Sequence, residues 1–153
     1  MESKNVFYDE LCLAVYTTNR YFHQLYQLVL TEYDLTYLQY MALLSITQYE
    51  KCTLSQICLN LDLDTNTLTP VVKKLIQKGW INKEKSLTDG RSFELALTGK
   101  AMLNFKVIQA KIAKIQAKLV GSEHSKFISI LNEAHELNER VAKVISEQME
   151  EYK

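Results

Sequence analysis

The segment from residue 63 to residue 97 constrains the fold of this chain more than any other part of it. Small polar residues and a lysine pair follow a helical pattern that Gly79 is well placed to end. Two strand-like runs, residues 80–86 and 91–97, then flank a tight turn. This order predicts a winged helix-turn-helix, in which one helix enters the major groove of DNA and the hairpin tip reaches the backbone or the minor groove.

Periodicity and capping residues predict the helices before the hairpin. Apolar residues recur at helical spacing over residues 6–30. Thr36 and Thr53 each stand three residues before a glutamine, a pattern typical of a capping box at the start of a helix. Asp64 or Thr65 is expected to cap the next helix, the one that would enter the groove.

Pro70 lies about one turn inside that helix. A proline is harmless only in the first turn, so we expect either a helix that effectively starts near Asn66 or an irregular first turn. After the hairpin, Thr98 is expected to cap a helix that reaches about Val120. A last amphipathic helix follows the break at Gly121.

The composition is typical of a mainly α-helical fold with a small β-hairpin wing, since the 153 residues include only four Gly and one Pro. We expect a single domain over residues 1–153, with the winged helix-turn-helix at 36–98. The apolar stripes of residues 6–30 and 104–150 are longer than a monomeric winged-helix domain needs for its own core. They therefore predict dimerisation helices. The alternative is that these helices pack on each other within one chain.

The net charge is zero, but the charges are unevenly distributed. Residues 69–122 carry 11 basic and 3 acidic side chains, whereas residues 1–68 carry 3 basic and 8 acidic ones. Such asymmetry indicates a face that binds a polyanion. The alternative is a solvated lysine-rich helix at 106–118 with no binding role.

Several classes of protein are disfavoured by the sequence. No apolar run approaches the ~20 residues that cross a bilayer, which predicts no membrane contact. Three cysteines without metal-ligand spacing favour a reducing, cytoplasmic location, and we expect no metal and no cofactor. No catalytic triad or phosphate loop is present, so we expect no enzymatic activity.

Polar and basic side chains of the segment predict the DNA contacts. Asparagine can read adenine and threonine can contact the thymine methyl group, whereas lysines bind phosphates. An arginine at the hairpin tip can enter the minor groove, with a nearby aspartate orienting its guanidinium. The predicted DNA-binding residues are Thr65, Asn66, Thr67, Thr69, Lys73, Lys74, Asp89 and Arg91. For the threonines, simple helix capping is the alternative.

Cys12 lies on a polar face of the first predicted helix. Steps of four, three, four and three residues connect it with Tyr16, Asn19, His23 and Tyr26. A reactive thiol would be favoured in such a place, because tyrosine hydroxyls can donate to its thiolate. The residues alone favour the alternative, a small buried side chain without reactivity.

Five motifs together resemble the MarR family of winged-helix regulators. Within it they resemble the thiol-based branch, which comprises organic-hydroperoxide-sensing repressors and staphylococcal redox and virulence regulators. The motifs are Leu11-Cys12-Leu13-Ala14-Val15-Tyr16, Leu35-Thr36-Tyr37-Leu38-Gln39-Tyr40, the run from Leu63 to Lys74, Asp89-Gly90-Arg91 and Leu97-Thr98.

The resemblance implies a homodimer that binds a pseudo-palindromic operator in double-stranded DNA. It further implies that Cys12 is a peroxide-sensing thiol, with Tyr16 nearby and with Tyr26 and Tyr37 supplied by the opposite subunit. No cysteine follows Cys58, so oxidised Cys12 would form a mixed disulfide with a low-molecular-weight thiol, or react with Cys52 or Cys58.

Two functions are therefore compatible with the sequence. The first is a repressor that senses oxidants through Cys12 and releases its operator on oxidation. The alternative is a regulator that responds to a small aromatic or lipid-like ligand, bound between the dimerisation and DNA-binding regions near Tyr16, Tyr26 and Tyr37.

Overall fold

The computed structural model describes residues 2–151, and side chains from residue 7 to residue 151. Within these residues the chain forms six α-helices and one antiparallel hairpin. The elements are α1 (Glu2–Leu30), a 3-10 turn (Thr31–Tyr33), α2 (Tyr37–Thr47), α3 (Leu54–Leu61), α4 (Thr65–Gln77), β1 (Ile81–Lys85), β2 (Phe93–Leu97), α5 (Gly99–Val120) and α6 (His124–Glu151). The predicted class, mainly α with a β-hairpin wing, is confirmed.

The described chain divides into two compact units, and the boundary falls inside α5 between Ile112 and Ala113. The first unit contains α1 to α4, the hairpin and the first half of α5, and the second contains the rest of α5 and α6. Residues 1, 152 and 153 of the expected domain lie outside the described residues. The dimerisation role of residues 6–30 and 104–150 stays a prediction.

Both predicted capping boxes are present, and they set where α2 and α3 begin. The Thr36 hydroxyl accepts from the Gln39 backbone N–H at 3.2 Å, and the Gln39 side chain accepts from the Thr36 N–H at 3.1 Å. Thr53 and Gln56 repeat the arrangement at 3.3 and 2.8 Å. Each box satisfies two backbone donors that a helix start would otherwise leave without a partner.

The helix α4 follows the first of the two expectations for Pro70. It begins at Thr65, one residue before Asn66, and continues through Pro70. The helix is held by its buried stripe of Leu68, Val72 and Leu75, whose burial contributes roughly 2 kcal/mol for each side chain. That gain is enough to offset the hydrogen bond that the proline ring removes.

The hairpin is shorter than expected, because Trp80 belongs to the turn that ends α4. The Trp80 backbone N–H donates to the Leu75 carbonyl at 2.9 Å. Strand β1 then pairs with β2 in the antiparallel register Ile81–Leu97 to Lys85–Phe93.

A third segment joins the hairpin at its base. Cys52 exchanges two backbone hydrogen bonds with Leu95, at 3.1 and 2.7 Å, on the edge of β2 opposite to β1. This bridge ties the wing to the start of α3.

The core lies in the first unit, where the C-terminal end of α1 meets α2, α3, α4, the hairpin and α5. Its most deeply buried large side chains are Phe105, Leu30, Leu35, Leu43, Ile46, Ile57, Leu68, Leu75, Ile81 and Ile108. In contrast, every side chain of α1 from residue 7 to residue 24 is exposed, and α6 has no buried residue. Among residues 2–151, no helix is long and apolar enough to span a bilayer.

Candidate nucleic-acid interface and cysteine site

The solvent-facing side of α4 carries the polar and basic residues that the sequence singled out. Because Leu68, Val72 and Leu75 fix the buried stripe, Asn66 and Lys73 project from the opposite side of the helix. All six predicted contacts on this helix are exposed, namely Thr65, Asn66, Thr67, Thr69, Lys73 and Lys74. The fold therefore presents them on one convex element, as entry into a major groove requires.

The first turn of α4 shows which polar groups are already engaged. Asp64, not Thr65, is the cap, and its carboxylate accepts from the Thr67 backbone N–H at 2.7 Å. Hydrogen bonds from the Thr67 backbone and then from its side chain hold the pKa of Asp64 below its ordinary value. The Thr69 hydroxyl donates to the Thr65 carbonyl at 2.6 Å, so toward a base it can act only as an acceptor or through its methyl group.

The wing tip corrects the expected role of Asp89. Its carboxylate accepts from the Arg91 backbone N–H at 3.1 Å, and no ion pair joins it to the Arg91 guanidinium among the side chains described. Asp89 thus stabilises the turn, because its backbone carbonyl also accepts from the Ser92 N–H at 3.0 Å. The guanidinium of Arg91 is exposed.

Three predicted DNA-contacting cations have no acidic partner within residues 7–151. Lys73, Lys74 and Arg91 are absent from every ion pair of this region, whereas Lys51, Lys78, Lys111, Lys126, Arg140 and Lys143 each have one. A cation that is already hydrated and unpaired loses little when it moves to a phosphate. These three side chains could therefore bind phosphates without first breaking an ion pair.

Cys12 is exposed on α1, and the continuous helix confirms that Tyr16, His23 and Tyr26 share its face. Tyr26 follows Cys12 by 14 residues, which is about 21 Å along the helix axis at 1.5 Å per residue. No hydrogen bond can span that distance. Within one chain the structure therefore brings Tyr16 within one turn of Cys12, but neither Tyr26 nor Tyr37.

Tyr26 and Tyr37 do lie together, in an aromatic cluster between α1, α2 and α5. Their ring centroids are 5.0 Å apart, and His23 lies 4.4 Å from Tyr37. Tyr40 connects them to the core, at 5.6 Å from Tyr26 and 5.4 Å from Phe105. Tyr40 was not predicted to belong to this group, although its position three residues after Tyr37 places both on one face of α2.

Tyr37 and Tyr40 of this cluster have raised pKa values. Burial, followed by the nearby Tyr26, raises the pKa of Tyr37. Burial, with smaller contributions from Tyr26 and Tyr37, raises the pKa of Tyr40 to about 12. Near neutral pH the phenols of Tyr37 and Tyr40 therefore keep their protons and can donate a hydrogen bond.

An open groove adjoins the cluster on the α1–α2 side. It has a volume of about 360 Å³ and is lined by His23, Gln24, Gln27, Thr36, Tyr37 and Leu38. A larger groove of about 560 Å³ lies between α4 and the wing, with Val72, Lys73, Ile76, Lys83 and Phe93 among its lining residues.

The other two cysteines differ in environment. Cys52 is buried, with 1% of its surface exposed, and burial raises the pKa of its thiol to about 11. Such a thiol is almost entirely protonated at neutral pH and is a poor nucleophile. Cys58, on α3, is partly exposed. Among the described residues, no group of three or more His, Cys, Asp and Glu side chains is placed to hold a metal ion.

Comparisons with known proteins agree with this architecture. Residues 24–108, more than half of the chain, match the family described as "Transcriptional regulator SarA/Rot". The organic hydroperoxide resistance transcriptional regulator of Bacillus subtilis is 32% identical over 113 residues, which cover 74% of this chain and 74% of that protein.

Solved structures extend the likeness over nearly the whole chain. Reduced AbfR bound to DNA has a TM-score of 0.76 and 28% identity, and the match covers 94% of this chain and 97% of that one. AbfR is a protein of Staphylococcus epidermidis. Its disulfide-formed structure gives a lower TM-score of 0.67, at 27% identity and with 95% and 96% of the two chains covered.

The fold also matches Escherichia coli MarR complexed with operator DNA, with a TM-score of 0.72. The identity is 20%, and the match covers 82% of this chain and 93% of that one. The resemblance expected from the sequence motifs is thereby confirmed. This chain belongs to the SarA/Rot family of transcriptional regulators and has the MarR-like winged-helix fold.

Proposed function

We propose that this regulator is a repressor that senses oxidants through Cys12 and leaves its operator when Cys12 is oxidised. The observation that carries the proposal is that Cys12 is exposed on the same face of α1 as Tyr26, whose ring lies 5.0 Å from that of Tyr37. The likeness to a hydroperoxide resistance regulator and to AbfR, solved in reduced and disulfide forms, supports it.

The chemistry takes place in two steps. The Cys12 thiolate attacks the distal oxygen of a hydroperoxide, so that an S–O bond forms, the O–O bond breaks and an alcohol leaves after protonation. A low-molecular-weight thiol then attacks the sulfenic acid, which forms a mixed disulfide and releases water. The buried, protonated Cys52 is poorly suited to this second step, which favours a small thiol from solution.

A second copy of the chain completes the site. Tyr26 and Tyr37 lie too far from Cys12 to donate to it within one chain, but a symmetric partner would present its own pair. The exposed apolar side chains of α1, such as Leu11 at 40% and Val15 at 49%, are suited to the same contact. The two α4 helices of the homodimer would then read operator half-sites about 10 base pairs apart.

The homodimer is tested by sedimentation. We expect a dimer at micromolar concentration for both the reduced protein and the Cys12→Ser variant. A stable monomer under these conditions would contradict the shared site, since Cys12 would then have no tyrosine pair.

The thiol switch is tested by mobility shift with and without cumene hydroperoxide and a low-molecular-weight thiol. Cys12→Ser should bind DNA as the wild type does, yet stay bound after treatment. Cys58→Ser is the matched control and should be released like the wild type, because Cys58 lies outside the aromatic site. Equal release of Cys12→Ser and wild type would refute sensing through Cys12.

Tyr37→Phe separates hydrogen bonding from packing. The variant keeps the ring contacts with His23 and Tyr26 but removes the hydroxyl that would donate to the thiolate. It should bind DNA normally and respond to peroxide more slowly. An unchanged rate of sulfenic acid formation, followed by mass spectrometry, would exclude Tyr37 as a donor.

The groove beside Tyr37 favours a second candidate function, regulation by a small aromatic or lipid-like ligand. Its volume of about 360 Å³ and its His23 and Tyr37 rings suit a flat molecule. In that case release from DNA would require the ligand and would be unaffected by Cys12→Ser. The mobility shift therefore distinguishes the two functions.

A further inference from the structure

Lys78 directly follows α4, the helix predicted to enter the major groove and called the recognition helix below. It connects this helix to the corner between α1 and α2, which consists of the 3-10 turn and Asp34. Its ammonium donates to the backbone carbonyl of Asp34, lies 3.1 Å from the carboxylate of the same residue and reaches the Gln39 side chain at 3.4 Å. The ammonium thus makes two hydrogen bonds and one ion pair. With 28% of its side chain exposed, Lys78 is less exposed than the other ion-paired cations described, although the Asp34 side chain itself is 88% exposed.

The acceptors of Lys78 belong to the structure that begins α2. Asp34 adopts a left-handed conformation, with φ 52° and ψ 42°, which ends the 3-10 turn after α1. Gln39 is buried, and its side-chain oxygen also accepts from the Thr36 N–H in the capping box. Lys78 therefore binds both the Gln39 side chain of the capping box and the Asp34 carbonyl of the turn that precedes it.

The same first turn of α2 carries Tyr37. Its ring lies against His23 and Tyr26 of α1, so a displacement of Tyr37 moves the first turn to which Gln39 belongs. Lys78 would transfer that movement to the end of α4. We propose that Lys78 is the positioning residue that couples the aromatic cluster to the recognition helix. This inference rests on the proposed function in one respect, namely that the cluster is where the signal is received.

The chain offers a matched control in Lys111 of α5. Lys111 pairs with Glu32 at 2.5 Å and lies 5.1 Å from the Tyr33 ring, so it holds the same corner but has no connection to α4. The chain also offers a reporter, since Trp80 is its only tryptophan. Trp80 follows Lys78 by two residues and is 7% exposed, so its fluorescence reports on the end of α4.

The test is a double-mutant cycle that needs no oxidant. Tyr37→Ala is made in the wild type, in Lys78→Met and in Lys111→Met, and circular dichroism and thermal melts verify that each variant is folded. Two quantities are measured, Trp80 emission and affinity for the duplex that the wild type enriches from a random-sequence library. Lys78→Gln, which removes the charge but keeps a polar side chain, replaces Lys78→Met if that variant does not fold, and Lys78→Arg, which keeps the charge, is the rescue variant.

We expect Tyr37→Ala to shift Trp80 emission and to weaken DNA binding about tenfold in the wild type and in Lys111→Met. In Lys78→Met the same change should alter affinity less than about twofold, with no shift of Trp80 emission. With Lys78→Arg, the effect of Tyr37→Ala should return.

Two results would overturn the proposal. In the first, Tyr37→Ala has the same effect in Lys78→Met as in wild type, and Lys78 is then no more than a phosphate contact or a stabilising residue. In the second, Tyr37→Ala has no effect on DNA binding in any background. DNA binding of the wild type is also measured separately with cumene hydroperoxide. Loss of the oxidant response alone would refute the Cys12 switch and leave the Lys78 coupling intact.

Discussion

Cys52 should be nearly inert toward thiol reagents in the folded protein. Burial raises the pKa of its thiol from 9.0 to about 11, so its thiolate fraction at a given pH is about 100-fold lower than for an ordinary thiol. At pH 7 about one molecule in 10,000 carries the thiolate. Occlusion of a side chain that is 1% exposed adds to this effect.

The assay is pulsed alkylation of the reduced protein with N-ethylmaleimide at pH 7, followed by peptide mass spectrometry. Cys12 and Cys58 should be modified first, and Cys52 at least about 100-fold more slowly than Cys12. In urea the three rates should converge, since unfolding removes the burial. Cys52→Ala should leave the rates at the other two cysteines unchanged.

Alkylation of Cys52 within about tenfold of the Cys12 rate in native protein would refute the argument from burial. It would also restore Cys52 as a partner for oxidised Cys12. The measurement thus decides between a small thiol and an internal cysteine for the second step of the proposed switch.

Three further predictions follow from the same contacts. Arg91→Ala should weaken DNA binding and lower its salt dependence by about one phosphate contact, measured by fluorescence anisotropy, whereas Arg140→Ala on α6 should change neither. The free energy of unfolding in urea should fall as the pH rises from 9 to 12, because Cys52 and Tyr40 have raised pKa values and the unfolded chain loses those protons first; Cys52→Ala should remove the part between pH 9 and 10, below the ordinary pKa of Tyr40. Phe105→Ala should cost about 3–5 kcal/mol of stability in the same urea titration, and a cost below about 1 kcal/mol would contradict its place in the core.

The elements that the sequence predicted well are those with local causes. A threonine followed three residues later by a glutamine defines its own helix start, and both capping boxes formed as expected. The exposed face of α4 follows from the spacing of Leu68, Val72 and Leu75. Such features need no knowledge of distant contacts.

Features that depend on distant parts of the chain were left open, missed or wrongly assigned. Pro70 continues α4 because tertiary burial outweighs its local cost, which no window around residue 70 reveals. The Cys52–Leu95 bridge joins residues 43 positions apart, and Lys78 meets Asp34 across 44 positions. Asp89 was expected to orient the Arg91 guanidinium, and its carboxylate instead accepts a hydrogen bond from the Arg91 backbone N–H in the same turn.

The bridge between Cys52 and Leu95 also determines which strand edge is open to other molecules. With β1 on one side and Cys52 on the other, β2 is covered at its centre, so the free hydrogen-bonding edge of the described hairpin is that of β1. That strand has the sequence Ile-Asn-Lys-Glu-Lys and is exposed after its first residue. Alternating charges on an open edge discourage the addition of a foreign strand. The charged edge of β1 thus protects the wing against self-association by strand addition.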